Sequence, residues 1–263
     1  GLFVRWALEM YDSLQDEVAQ TSRHCKLIDM QTTITGRDLY LGFEFTTGDA
    51  SGQNMVTFAT DAICRKLLAS SPVKPQRWYL ESNMSGDKKP TMQAFLYARG
   101  KKVVVETDIP RKVIQKYLGT TPEELVRCNH EALASGIQVG TIGGQVHVAN
   151  ALTAVFLACG QDVAAVSEAS IGLTRVDFGS DGGLYVSLSL PNLIVGTIGG
   201  GTDLPVAAEC LEMLGCKGEG KARKFAEICA ATALAGEISL GGAMATGQFA
   251  RAHAKYGRKQ KRE

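Results

Sequence analysis

The loop Ser85-Gly86-Asp87-Lys88-Lys89-Pro90 sets one carboxylate beside two ammonium groups. A lysine held near carboxylates stays protonated and can stabilise a developing oxyanion. The same charges in isolation make an ordinary solvated turn. Asp162 follows an apolar helical run, Asn150–Cys159, through Gly160-Gln161. A carboxylate there is expected to be partly buried and to need a partner, unless it simply caps a turn. His253 is one of four histidines and lies near the end of a long helical pattern. It could deliver a proton near neutral pH, or merely place a charge that suits a helix C-terminus.

Two glycine-rich stretches could meet a phosphate. Gly48-Asp49-Ala50-Ser51-Gly52-Gln53-Asn54-Met55 runs from a strand into a helix, where free backbone N–H groups bind anions. It is not a G-x-G-x-x-G fingerprint, so a Rossmann fold is excluded. Gly196-Thr197-Ile198-Gly199-Gly200-Gly201-Thr202 has a tight structural turn as its simplest explanation. Val-Gly-Thr-Ile-Gly-Gly occurs at both 139–144 and 195–200, but the flanks differ, so two similar turns are expected rather than a duplication.

These residues need elements to hold them. Leu2, Trp6, Met10 and Leu14 mark one helix over residues 1–20. Leu39–Phe45 alternates as a strand, and Met55, Ala59, Ile63 and Leu67 share a helical face. After Pro72 and Pro75, Arg77–Asn83 and Val103–Glu106 are predicted strands. Thr121 should cap a helix starting at Pro122. Leu184–Leu190 reads as a strand, 205–214 as a helix, and Arg223–Ala254 as one long helix of small residues. The class is α+β.

Composition bounds the rest. The chain has 263 residues, 45% hydrophobic and 21% charged, enough for one or two cores. A net charge of +1 argues against a bulk nucleic-acid binder. The basic tail Arg258–Arg262 reads as a solvated terminus or a phosphate contact. Seven cysteines without metal-type spacing fit buried thiols in a reducing cytoplasm. Gly1–Met10 lacks a signal-peptide layout. Ile228–Ala245 is the most apolar stretch, but Glu237 interrupts it, so a buried helix is expected and no membrane span.

Taken in order, Gly-Asp-Ala-x-Gly-x-Asn-Met, Asp-Lys-Lys-Pro, Gly-Gln-Asp, Gly-Thr-Ile-Gly-Gly-Gly-Thr and a near-terminal His closely resemble the hydroxymethylglutaryl-coenzyme A reductase family. Thr35–Tyr40, Ala158–Asp162 and Ala235–Leu240 match as well, so the resemblance covers nearly the whole chain. It implies a large domain around a long central helix, with a small inserted ferredoxin-like nucleotide-binding domain. Residues 1–78 would be most of the small domain, 79–91 the connecting loop and 92–263 the rest of the large domain. The implied reaction is reduction of the 3-hydroxy-3-methylglutaryl-coenzyme A thioester to mevalonate and free coenzyme A, by two hydrides from NADPH. A cytoplasmic homodimer or higher homo-oligomer is implied.

The resemblance also implies roles. Lys88 would polarise the thioester carbonyl and then the aldehyde, Asp162 would hold Lys88, and His253 would protonate the departing thiolate. Asp87, Lys89, Asn150 and Asn83 would neighbour the substrate. Ser22 and Arg23 would meet the NADPH 2′-phosphate, where a guanidinium fits well. Asp49, Ala50, Ser51, Gly52, Gln53, Asn54 and Met55 would line the dinucleotide, with Arg258 as a further cofactor-side arginine. The family's catalytic glutamate, in Glu-Asn-x-x-Gly, has no counterpart in these residues, and no lysine stands near Asn129–Leu133 to pair with a free substrate carboxylate. These departures imply an N-terminally truncated or divergent member, with a non-catalytic binding homologue as the alternative.

Overall fold

A computed structural model of the chain describes residues 1–257. Helices α1 (Leu2–Glu9) and α2 (Tyr11–Thr21) lead into the antiparallel hairpin β1 (Lys26–Thr35) and β2 (Asp38–Thr46). Helix α3 (Gln53–Ser70) then packs beside α2. Leu14 and Val18 of α2, Ala59, Ile63 and Leu67 of α3, and Leu27 and Met30 of β1 form one buried cluster, with Leu41, Phe43 and Phe45 against it. The expected helix over residues 1–20 is therefore two helices, divided at Met10.

A second core lies further along the chain. Strand β3 (Lys101–Ile109) and a short helix α4 (Arg111–Val113) precede α5 (Pro122–Val139). Thr121 caps α5 as expected, its hydroxyl accepting from Glu124 N–H at 3.3 Å with Pro122 in the first turn. Helices α6 (Val148–Ala158) and α7 (Val166–Ala169) precede the antiparallel strands β4 (Leu173–Phe178) and β5 (Leu184–Leu193). The sheet order is β3-β5-β4, and β5 is buried along almost its whole length. Helix α8 (Pro205–Met213) is followed by the long α9 (Ala222–Ala245) and by α10 (Gln248–Gly257).

Helix α9 is long and apolar enough to cross a membrane by length and composition. Here one face of it packs into the second core. It packs on β3, β5, α5 and α6, and buries Phe225, Ala226, Cys229, Ala230, Ala233 and Leu234. Filling that interface with alanines and one fully buried Phe225 lets the helix axis approach the sheet closely. Burial pushes the Cys159 thiol up to about 11 and the Cys229 thiol up to about 12, so both act as small packing groups.

Two expected elements are corrected. Arg77–Asn83 is not a strand. Trp78, Tyr79 and Leu80 are exposed, and no neighbouring strand among the described residues takes up their ladder bonds. The helix expected over Arg223–Ala254 is broken at Thr246-Gly247, where Gly247 takes a left-handed φ of 65° and α10 starts anew.

Candidate active site

The expected ion pair forms. Lys88 Nζ lies 3.2 Å from Asp162 Oδ2. Both side chains stay over a third exposed, 40% and 36%, so the pair adds at most about 1 kcal/mol to stability. What it fixes is the place of the ammonium. Asp162 caps a turn as well, since Oδ1 accepts from Ala164 N–H at 3.0 Å at the start of the Val163–Ala165 turn.

The backbone of Lys88 is unusual. Its φ is 59°, in the left-handed region that non-glycine residues avoid at about 1–3 kcal/mol. Such a conformation persists where surroundings over-determine it. The Lys88 N–H donates to Glu168 Oε1 at 2.8 Å, and Ser167 Oγ donates to the Lys88 carbonyl at 2.6 Å. Asn83 is also left-handed (φ 64°); its N–H donates to Glu81 Oε1 at 2.5 Å. Asp87 Oδ1 is 2.8 Å from the Arg99 guanidinium, and Lys89 Nζ donates to the Asp87 carbonyl at 2.9 Å. Asn83 and Lys89 are exposed.

Asn150 sits in the first turn of α6 and lines a cavity of about 670 Å³ with Pro90, Gln145 and Ser167. All of the cavity's lining side chains are neutral, in keeping with the missing lysine near Asn129–Leu133. Glu237 of α9 positions this helix. Its buried Oε1 accepts from His147 N–H at 2.6 Å and Val148 N–H at 2.9 Å, satisfying the first turn of α6.

The glycine motifs converge on one another. The Asp49 carbonyl accepts from Thr197 N–H at 2.9 Å, and Gly196 N–H donates to Gln161 Oε1 at 2.9 Å. A Cβ on Gly196 would strike the Ser51 backbone nitrogen, and one on Gly160 would strike the Gly201 carbonyl. Glycine is thus required at both crossings, and the Gly-Gln-Asp and Asp49–Gly52 segments meet across the loop 196–202. Gly52 (φ 82°) opens α3 without a side-chain cap, leaving the first N–H groups of α3 free for an anion. Ser51 and Asn54 are exposed, Ala50 is half-buried, and Met55 packs on the first core. Gln53 Nε2 is buried with no partner.

Asp49 points elsewhere than its expected role. Its carboxylate accepts from Gly220 N–H at 2.8 Å and Ala222 N–H at 3.1 Å, capping α9. The Gly220 N–H chiefly, then that of Ala222 with Lys101 and Arg223 nearby, holds this carboxyl below its ordinary value despite some burial. A depressed carboxyl contributes stability that is fully present above its unfolded value, about 3.9, and is lost as pH falls through the folded value. Asp49→Ala is therefore expected to cost about 1 kcal/mol at neutral pH, the size of a helix cap, in denaturant unfolding. The difference from wild type should vanish in acid, and a pH-independent difference would contradict the cap.

Ser22 ends α2, and its Oγ accepts from His24 N–H at 3.1 Å. Arg23 is exposed, its Nε donating to His24 Nε2 at 2.9 Å. His253 lies on α10, also exposed. Its Nδ1 is 2.9 Å from the Phe249 carbonyl, and its ring centroid is 4.4 Å from that of Phe249. The structure does not place it against Lys88 or Asp162 among the described residues. Arg258 lies outside the described residues.

The sequence profile described as Hydroxymethylglutaryl-coenzyme A reductase matches residues 2–258. The chain belongs to the hydroxymethylglutaryl-coenzyme A reductase family. It is 42% identical over 261 residues to the 3-hydroxy-3-methylglutaryl-coenzyme A reductase of Pyrococcus horikoshii, covering 97% of this chain and 63% of that protein. The Methanocaldococcus jannaschii reductase is 41% identical over 258 residues, covering 96% and 64%. The chain thus spans less than two thirds of the length of these relatives. In fold it is similar to the class II reductase of Streptococcus pneumoniae bound to NADPH, with a TM-score of 0.70, 21% identity, and coverage of 92% of this chain and 67% of that one.

Within this hydroxymethylglutaryl-coenzyme A reductase family frame, sequence reasoning missed Arg99, Glu168 and the capping role of Glu237. Arg99 NH1 lies 2.5 Å from Glu168 Oε1, and burial of Glu168 is nearly complete at 1% exposure. Burial pulls the Arg99 guanidinium down, but Glu168 and Asp87 outweigh it and hold Arg99 above its ordinary value. The sequence signal for Glu237 was a lone carboxylate in an apolar helix, which demands partners. Arg99 and Glu168 carried no such local signal.

Proposed function

We propose that this chain supplies the lysine and the cofactor side of an NADPH-dependent enzyme that reduces 3-hydroxy-3-methylglutaryl-coenzyme A to mevalonate and coenzyme A. The observation that carries the reading is the Lys88–Asp162 contact of 3.2 Å, formed by two motifs far apart in sequence beside a neutral cavity edged by Asn150. Lys88 would face the oxyanion that develops when the thioester carbonyl is reduced, and again when the aldehyde is reduced. Asp162 would keep the Lys88 ammonium aimed. His253 would give a proton to the departing thiolate, reaching the site by movement of α10. Asp87, Lys89 and Asn83 would border the substrate.

The residues fit NADPH. An uncapped helix start at Gly52, close glycine crossings and the partnerless buried Gln53 Nε2 make a cradle for a polar, anionic group. Ser51, Asn54, Ala50 and Met55 would line it, with Asp49 holding the loop to α9. Ser22 and Arg23 would receive the 2′-phosphate. When bound, NADPH supplies the hydrides. Arg23→Ala should raise KM for NADPH far more than for NADH, and an equal rise for both would show that Arg23 does not read the phosphate.

The α2-β1-β2-α3 unit is what the middle of a ferredoxin-like fold would look like, two helices on one face of an antiparallel hairpin. This supports reading residues 1–78 as a small nucleotide domain, 79–91 as the connecting loop and 92–263 as the large domain, each with its own core. A cytoplasmic homodimer belongs to the same proposal. Turnover of the thioester by the full-length gene product, with mevalonate and free thiol identified as products, tests it. Absence of both products would leave a non-catalytic binding homologue.

A further inference from the structure

All three polar ends of Lys88 are held by one short segment, 162–168. Asp162 takes the ammonium at 3.2 Å, Ser167 donates to the carbonyl at 2.6 Å, and Glu168 accepts from the N–H at 2.8 Å. Ser167 and Asp162 are half-exposed or exposed, whereas Glu168 is 1% exposed. The Glu168 carboxylate is held in turn by Arg99 NH1 at 2.5 Å. The other arm of the same guanidinium takes Asp87 at 2.8 Å, and the Arg99 N–H donates to the buried Asn192 Oδ1 of β5 at 2.8 Å. A continuous line of contacts therefore runs from the central strand through Arg99 and Glu168 to the backbone of Lys88.

We propose that Glu168, locked by Arg99, is a positioning residue that holds the Lys88 backbone left-handed and so sets where its ammonium sits. The assignment of a reaction to Lys88 rests on the function proposed above; the clasp itself does not. Lysine reaches its ammonium through four flexible carbons, and Asp162 alone, half-exposed, constrains only the tip. A left-handed residue without a clamp relaxes to the ordinary region and swings the side chain away. As a stability device a buried ion pair is weak, because desolvation offsets its attraction. Geometry at the loop is what it can secure. Glu168 touches no reacting atom and acts only through Lys88.

The test uses the full-length gene product with Glu168→Ala and Glu168→Gln. In Glu168→Ala, Lys88 loses its N–H acceptor. The kcat for the thioester should fall about 10²-fold, the scale of a displacement near 1 Å. KM for NADPH should stay within a factor of about two, since the cofactor side is untouched. Amide hydrogen exchange at Lys88, slow in wild type, should become fast. Glu168→Gln keeps an acceptor but no longer neutralises Arg99, so kcat should fall about tenfold with the Lys88 amide still protected. A folded Glu168→Ala protein with wild-type kcat, or with a protected Lys88 amide, would overturn the proposal. So would loss of NADPH affinity in proportion to kcat. Should Glu168→Ala not fold, Glu168→Gln decides, and wild-type kcat in it overturns the clasp. Should the wild type itself not reduce the thioester, the proposed function fails, while amide exchange still judges the clasp.

Discussion

Lys88→Ala in the full-length protein is expected to abolish thioester reduction and to leave the melting temperature almost unchanged. Removing one donor to an oxyanion typically costs about 10²–10³ in rate, and a formal positive charge at the site is worth more than a neutral donor. The stability side is small because the Lys88–Asp162 pair is over a third exposed on both partners. Relief of the left-handed φ at Lys88 is not gained by alanine, which has the same Cβ. The variant should therefore unfold within about 0.5 kcal/mol of wild type. A folded Lys88→Ala protein that turns over thioester at the wild-type rate would remove Lys88 from the chemistry.

His253→Gln separates chemistry from packing. In the reaction proposed above coenzyme A would depart as a thiolate, and a general acid contributes about 10²–10⁴-fold to such a step. Reduction of free mevaldehyde expels no thiolate. If His253 is the acid, the variant should be crippled on the thioester and largely spared on the aldehyde. Its observed surroundings give the competing expectation. The ring lies exposed on α10 against Phe249, where a positive charge in the latter half of the helix is worth only about 0.3–1 kcal/mol. In that case both activities fall together with the melting temperature. Kinetics on both substrates, with a folded variant, decide between these outcomes.

The parts of this site that lie within one motif were legible in the sequence, and those that depend on distant partners were not. Thr121-Pro122 specified a helix start with a local mechanism, and the hydroxyl cap is there. Lys88 and Asp162 could be paired only through the family resemblance, since nothing in their spacing brings them together. Strand β1 escaped notice because a bulge between Leu27 and Asp29 breaks the alternation, so Leu27 and Met30 both face the core. Strand β4 escaped because the buried position is Thr174 while Leu173 faces out. Trp78-Tyr79-Leu80 has strand-like residues, but strand formation also needs a neighbour, which composition does not report. The small-residue pattern of α9 continues past Gly247, so periodicity alone extended the helix through a left-handed glycine. Glu168 and Arg99 are long-range partners, each unremarked by its own neighbours. Asp49 was assigned to the dinucleotide from its motif, yet its carboxylate is occupied by the start of α9.

The most direct measurement is the stoichiometry of complete conversion. Full-length protein is given a limiting amount of the 3-hydroxy-3-methylglutaryl thioester and excess NADPH, and oxidised cofactor and free thiol are counted together. Two NADPH are expected to be oxidised for each thiol released, with mevalonate as the end product and no aldehyde left. Thiol release without NADPH oxidation, or one NADPH per thiol with aldehyde accumulating, would rule out the two-step reduction.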